Sequence, residues 1–179
     1  MPDTDKQPDW LDRAKNGDAK SISQMWGEYA PRIYRYVRYR VGTNADAEDL
    51  TSEVMLRAIR RLRDVRQSFA PWIFRIARNL LVDFFRKRSH AKEYQAMEYK
   101  MESASPVENP EHGTLTRATL ERLLPMLSGE QQEVILLRFV EDFSPREIAK
   151  QMGKHEDAVR AIQYRGLRRL KELLSEENI

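Results

Sequence analysis

Two helical faces in this chain carry side chains suited to nucleic acid. Over residues 71–88 (PWIFRIARNLLVDFFRKR), Trp72, Arg75, Asn79, Asp83 and Arg86 fall on one side at about 100° per residue. That stripe holds one flat aromatic for stacking, two guanidinium groups for phosphate, and an amide and a carboxylate able to address base edges. On spacing alone, the same stripe also fits an amphipathic helix with a solvated, charged side. The second face lies near the C-terminus, where Asp157, Arg160, Ala161, Tyr164, Arg165 and Arg168 share one side of a helix. It combines three guanidinium groups, a phenol and a small residue that permits close approach. Arginine can take guanine bidentately or bind phosphate, and tyrosine can bind phosphate. The acids Glu156 and Asp157 temper that face unless they cap the helix or accept from cytosine. His155, just before them, fits a surface cap.

Other chemistry has little to rest on. The chain has no cysteine, which excludes disulfides, thiolate nucleophiles and cysteine-based zinc sites. His90, His112 and His155 are scattered, so no metal site and no cofactor are expected. No nucleophile constellation or phosphate-cradling glycine loop supports an enzyme.

The elements that position the two faces are all helical in pattern. In residues 71–88, Ile73, Ile76, Ala77, Leu80 and Phe84 form the core stripe, and Pro71 sits in the first turn, where its missing N–H is tolerated. Upstream, residues 9–16 read as a short helix ended by Gly17. Asp18 caps the next helix, with Ile22, Met25, Trp26 and Tyr29 inward. Pro31 is expected to restart the chain into a third helix with Ile33, Tyr34, Val37 and Val41 inward and Arg32, Arg35, Arg38 and Arg40 outward. Thr43 resembles the cap of a helix running to about residue 63, with Ala47, Leu50, Val54, Ala58 and Leu62 buried. Its other face carries Asp46, Asp49 and Glu53 early and arginines late. That order suits the helix dipole and also suits an acidic docking stripe for a protein partner. Residues 64–70 read as a loop.

Residues 89–113 change character: Ser-Pro, Asn-Pro and glycine appear, with five Glu against two Lys. They read as a flexible acidic linker with a helical extension over 90–101. Residues 114–126 then form a helix (Leu115, Ala118, Leu120, Leu123, Leu124). Ser128 and Ser144 each open a further helix with a capping box. The helix from Ser144 is short (Ile148, Ala149, Met152) and stops at Gly153. The basic helix follows with Val159, Ile162, Gly166, Leu170 and Leu173 inward. Short helix, glycine turn and longer basic helix make a helix-turn-helix pattern, with an ordinary αα-hairpin as the plainer alternative.

Composition agrees with an all-α protein of two small domains. The 179 residues are 41% apolar and 33% charged, with a net charge of +3. No secretory start and no run of about 20 apolar residues is present, so a cytoplasmic protein without membrane contact is expected.

Three stretches in order resemble the extracytoplasmic-function (ECF) sigma factors, the minimal sigma subunits of bacterial RNA polymerase. Residues 29–62, YAPRIYRYVRYRVGTNADAEDLTSEVMLRAIRRL, resemble the family's region 2 entry. Residues 70–86, with WIFRIARNLLVD, resemble its promoter-melting helix. Residues 127–174, with EIA, the Gly153 turn and AVRAIQYRGLRRL, resemble region 4. The resemblance implies region 2 at 1–88, the linker at 89–113 and region 4 at 114–179. It implies docking of Asp46, Asp49, Glu53, Leu56 and Arg60 on the clamp helices of the polymerase's largest subunit. It places the capture of a flipped base from the non-template strand of the −10 promoter element on Arg66, Gln67, Ser68 and Phe69, together with Trp72, Arg75, Asn79, Asp83 and Arg86. It gives duplex reading of the −35 element to the helix with His155, Asp157, Arg160, Ala161, Tyr164, Arg165 and Arg168. The implied partners are core RNA polymerase, including its flap, promoter DNA and an anti-sigma factor, with the chain a monomer. Lys154-His155-Glu156-Asp157 departs from the sequence common at that turn. The rival from another class is a stand-alone helix-turn-helix repressor or activator with an N-terminal dimerisation or sensing domain. The Trp72/Arg75/Asn79/Asp83 stripe counts against it. An anti-sigma-like interaction protein would leave the basic recognition helix unexplained.

Overall fold

The computed structural model describes residues 7–66, 68–94 and 117–176. Its described residues form helices and turns without a strand. The chain divides into two compact units, Met1–Lys100 and Met101–Ile179.

The first unit holds α1 (Leu11–Lys15), α2 (Ala19–Arg38), α3 (Asn44–Arg60) and α4 (Phe69–Tyr94). Helix α1 ends in a turn where Gly17 adopts φ 86°. There the Asp18 N–H returns to the Arg13 carbonyl and the Gly17 N–H to Ala14, a pattern that needs a left-handed residue. The Asp18 carboxylate then caps α2 by accepting from the Ser21 N–H at 2.9 Å. Helix α2 passes through Pro31 without a break, contrary to the restart expected there. Met25, Tyr29, Ile33, Tyr36 and Val37 stay in one helical phase on both sides of the proline, and all are buried. Burial of that continuous face offsets the one hydrogen bond that Pro31 cannot donate. Trp26, expected inward, is 38% exposed, because it lies a helical step off the Met25–Tyr29 line. Tyr34 is likewise only half-buried, and Tyr36 takes the core position, edge-on to Phe74.

The arginines on the outer side of α2 are partly architectural. Arg32 lies over the rings of Tyr29 and Phe74, at 5.1 and 5.5 Å from their centroids. Arg38 donates to Asn44 at 2.7 Å, tying the end of α2 to the start of α3. Thr43 caps α3 as expected, and Ala47, Leu50, Val54, Ala58 and Leu62 are all buried. The helix ends at Arg60, and a 3-10 turn, Leu62–Asp64, follows it. Helix α4 begins two residues earlier than the sequence suggests and runs past residue 88 into the segment assigned to the linker. Phe69 and Ala70 therefore belong to a helix and not to a loop. Its core stripe is Phe69, Ile73, Phe74, Ala77, Leu80 and Leu81. Ile76 and Phe84, expected inward, are half-buried at its margin. Residues 95–113 lie outside the described residues.

The second unit holds α5 (Arg117–Leu123), α6 (Gly129–Ile135), α7 (Pro145–Met152) and α8 (Glu156–Glu176). Helix α5 gives way at Leu124–Met126 to a 3-10 turn around Pro125, where periodicity predicts one helix over 114–126. Leu123 and Leu124 are buried, Ala118 is exposed, and Leu115 lies outside the described residues. Both capping boxes form: Ser128 with Gln131, and Ser144 with Glu147. After Ile135 the helix widens into a π segment, Leu136–Val140, which brings both Leu136 and Leu137 inward and turns Phe139 out. Gly153 ends α7 at φ 63°, and the Lys154 N–H returns to the Ala149 carbonyl. On α8, Val159, Ile162, Gly166, Leu170 and Leu173 are buried as their spacing requires. A Cβ on Gly166 would sit 3.3 Å from Ile135 Cγ1, so glycine lets α8 seat closely on α6.

Candidate nucleic-acid interface

In the first unit the candidate strand-capture face is the outer side of α4. Its inner stripe fixes the rotation of the helix, and the polar stripe therefore faces outward. Arg75, Asn79 and Arg86 are exposed; Trp72 and Asp83 are half-buried. Among the described residues Arg75 and Asn79 have no hydrogen-bond or ion-pair partner, so both are available to a ligand. Arg86 is not equally free, because it pairs with Asp83 at 3.0 Å, one turn back. The pair leaves the face with less net positive charge than its two guanidinium groups suggest.

Arg66 is exposed and Ser68 half-buried just before α4; Gln67 lies outside the described residues. Phe69 corrects an expectation. It is 1% exposed and packs edge-on against Trp10 at 4.9 Å and Tyr29 at 4.8 Å, so it is core and offers no stacking surface. Six aromatic carbons without a polar tip gain most from burial, and the first turn of α4 points them inward. Trp72 leans on Phe69 at 5.5 Å with an interplanar angle of 42°. One side of the indole thus closes the core while its remainder reaches solvent.

On α3, Asp49, Glu53, Leu56 and Arg60 form one exposed stripe opposite the buried face. Leu56 is 46% exposed amid charges. Asp46 is engaged within the chain: it accepts from the Thr43 hydroxyl at 2.8 Å and pairs with Arg88 at 3.4 Å. Glu53 pairs with Arg57 on the next turn. The role of Arg88 is not legible in the sequence, because its partner lies 42 residues away and no local spacing reports it.

In the second unit, Asp157, Arg160, Ala161, Tyr164, Arg165 and Arg168 are all exposed on α8, with Tyr164 68% exposed. Arg160 pairs with Glu156 at 2.6 Å and Arg168 with Glu172 at 3.0 Å, both at i,i+4 spacing. Arg165 has no such partner among the described residues. The acid Glu156 therefore holds an arginine of the face as well as occupying the first helical turn. His155 is exposed, and its carbonyl accepts the Val159 N–H at 3.2 Å. Lys154 reaches across to Glu130 at 2.8 Å, joining the glycine turn to the start of α6. Among the described residues no cluster of three or more His, Cys, Asp or Glu could hold a metal ion. None of the described helices is long and apolar enough to cross a membrane.

These two units define a class: residues 25–91 match the family model of Sigma-70 region 2, and residues 117–170 that of Sigma-70, region 4. At 37% identity, the ECF RNA polymerase sigma factor BldN of Streptomyces coelicolor is similar over 98% of this chain and 68% of its own length. ECF RNA polymerase sigma factor SigD of Mycobacterium bovis is 32% identical over 87% of this chain and 78% of its own. The sigma factor RpoE of Bartonella quintana, solved with the anti-sigma factor NepR, shares the fold with a TM-score of 0.76 at 24% identity, covering 88% of this chain and 98% of that one. The chain belongs to the ECF sigma factors, alternative sigma subunits that direct RNA polymerase in transcription initiation.

Proposed function

We propose that the work of initiation is divided between the two units. The Asp49–Glu53–Leu56–Arg60 stripe of α3 docks on the clamp helices of core polymerase, with Asp46 bracing its start. Arg66, Ser68, Arg75 and Asn79 capture a base flipped from the melted −10 non-template strand, and Trp72 offers its open side for stacking. The exposed face of α8 reads the −35 element as duplex. The observation that carries this reading is the exposed Arg75–Asn79 surface, without a partner among the described residues, on a helix whose opposite stripe from Phe69 to Leu81 is buried. A stand-alone repressor domain has no need of it. An extruded base regains stacking worth roughly 1–3 kcal/mol on an aromatic while polar groups address its edge. No bond is made or broken by these residues, so the chain acts as a binding subunit and not as an enzyme. The protein is a cytoplasmic monomer outside the polymerase. An anti-sigma partner, such as the one seen on the Bartonella protein, would hold it inactive by covering these surfaces.

In vitro transcription with purified core polymerase tests the division. Promoter-specific transcripts are expected only when core and this chain are both present. Asn79→Ala should lower open-complex formation by about tenfold with little change in core affinity. Glu53→Lys should do the reverse. A specific operator footprint by the free chain, without transcription on adding core, would refute it.

A further inference from the structure

Helix α1 lies upstream of the segment matching region 2, which begins at residue 25. Its end is nevertheless bonded to the approach of the strand-capture loop. The Lys15 ammonium donates to the Val65 carbonyl at 3.1 Å, across 50 residues. In return, Arg63 Nε donates to the Lys15 carbonyl at 3.3 Å. The ammonium also lies 3.9 Å from the carboxylate of Asp12, itself almost fully exposed. Beneath this exchange, Trp10 meets Phe69 edge-on at 4.9 Å, and Leu11, Ala14, Leu62 and Val65 are buried. Val65, before the capture segment, and Phe69, the first residue of α4, are therefore both held by α1 and the residue that caps it: polar contacts with Lys15 on the Val65 side and an aromatic contact with Trp10 at Phe69. Helix α1 is in turn fixed to α2. Trp10 Nε1 donates to Glu28 at 3.0 Å, and Arg13 Nε donates to Ser21 at 3.2 Å.

We infer that α1 is a brace for the strand-capture loop, with Lys15 as its positioning residue. The Lys15 ammonium sets the direction of the Val65 carbonyl and so where the chain leaves toward Arg66. A backbone carbonyl held by a charged donor loses freedom that a neutral donor would leave it. Selecting one loop conformation before the base arrives removes an ordering cost from capture. Lys15 touches no DNA in this role; it acts through the loop. The inference rests on the proposed base capture by Arg66, Ser68 and Asn79.

The test uses holoenzyme assembled from core polymerase and full-length Lys15→Met, Lys15→Arg or Asn79→Ala chains. Two readouts are taken: open-complex formation on a cognate promoter against one altered at the captured −10 base, and fluorescence of 2-aminopurine placed at that base. Lys15→Met keeps the aliphatic stem and loses the donor. It should lower cognate open-complex formation and base discrimination by about tenfold and reduce the 2-aminopurine signal, while Lys15→Arg restores both. If Lys15→Met shifts only the thermal midpoint, or if both Lys15 variants lose discrimination equally, the brace is overturned while an Asn79→Ala defect keeps base capture standing. If Asn79→Ala also leaves discrimination intact, base capture itself fails and takes the brace with it.

Discussion

At the residue scale, single side chains decide which groups are left for DNA. Phe69 illustrates the limit of a resemblance carried over by position: it stands in the strand-capture segment yet is buried between Trp10 and Tyr29. Its neighbour Trp72 rests against Phe69 and stays half-buried at the edge of the core. Asp18 shows a side chain whose charge works locally. Hydrogen bonds from the Ser21 hydroxyl and then the Ser21 N–H hold its carboxyl below the ordinary value of 3.8, with Arg13 and Lys20 adding to the effect. Because the folded-state pKa is the lower one, the ionised cap stabilises the fold above the ordinary aspartate range. That contribution is lost as pH falls through the lowered value. Asp18→Ala should lower the thermal midpoint at about pH 7, and the gap to the parent should narrow below about pH 4. Circular dichroism melts across that range check it; a gap that is constant or widens in acid would contradict the sign.

At the element scale, most of what periodicity can report was legible. The buried stripes of α3 and α8, the caps at Asp18, Thr43, Ser128 and Ser144, and the left-handed Gly153 all follow from spacing and local hydrogen bonding. What failed was non-local. Pro31 sits inside α2 because the helix has a continuous core face to bury, and a proline rule applied to neighbours alone cannot weigh that. The π segment at Leu136–Val140 shifts the phase of inward residues: Leu136 joins Val134, Ile135 and Leu137 in the core, and Val140, which periodicity places inward, is only half-buried. The ion pairs Asp46–Arg88 and Glu130–Lys154 join residues far apart in sequence, and the first engages a member of the expected docking stripe within the chain. Spacing places Gly166 inward, but only the packing shows that a side chain there presses on Ile135 and Gln131. Gly166→Leu should destabilise the second unit by about 1–3 kcal/mol, since the side chain must displace Ile135 and Gln131. Adding Ile135→Ala should recover part of that loss, because the two changes share one space. Denaturant unfolding of the single and double variants measures it, and strict additivity would show that the contact does not set the packing.

At the scale of the whole molecule, the proposed division makes both units necessary for promoter choice. On α8 the exposed basic face holds Arg160, Arg165 and Arg168, yet two of these are engaged by Glu156 and Glu172 within the same helix. Few phosphates are neutralised by such a face, and the counterion release that drives duplex binding scales with their number. The α4 face is similarly spare, with Arg86 held by Asp83. Two weak contacts become selective when both must be made at once at a fixed separation, which raises the effective concentration of the second after the first. Core polymerase supplies that fixed separation in the proposed division. Inserting about five base pairs between the −35 and −10 elements turns one by about half a helical turn relative to the other. Holoenzyme transcription from such a promoter should fall to the level seen with the −35 element replaced. Arg165→Ala should lower initiation on the parent promoter several-fold and leave the inserted promoter unaffected, because there α8 no longer reaches its site. Equal loss on both templates would mean that Arg165 acts on DNA generally or on the fold. Full transcription from the inserted promoter would mean that the second unit contributes nothing to promoter choice.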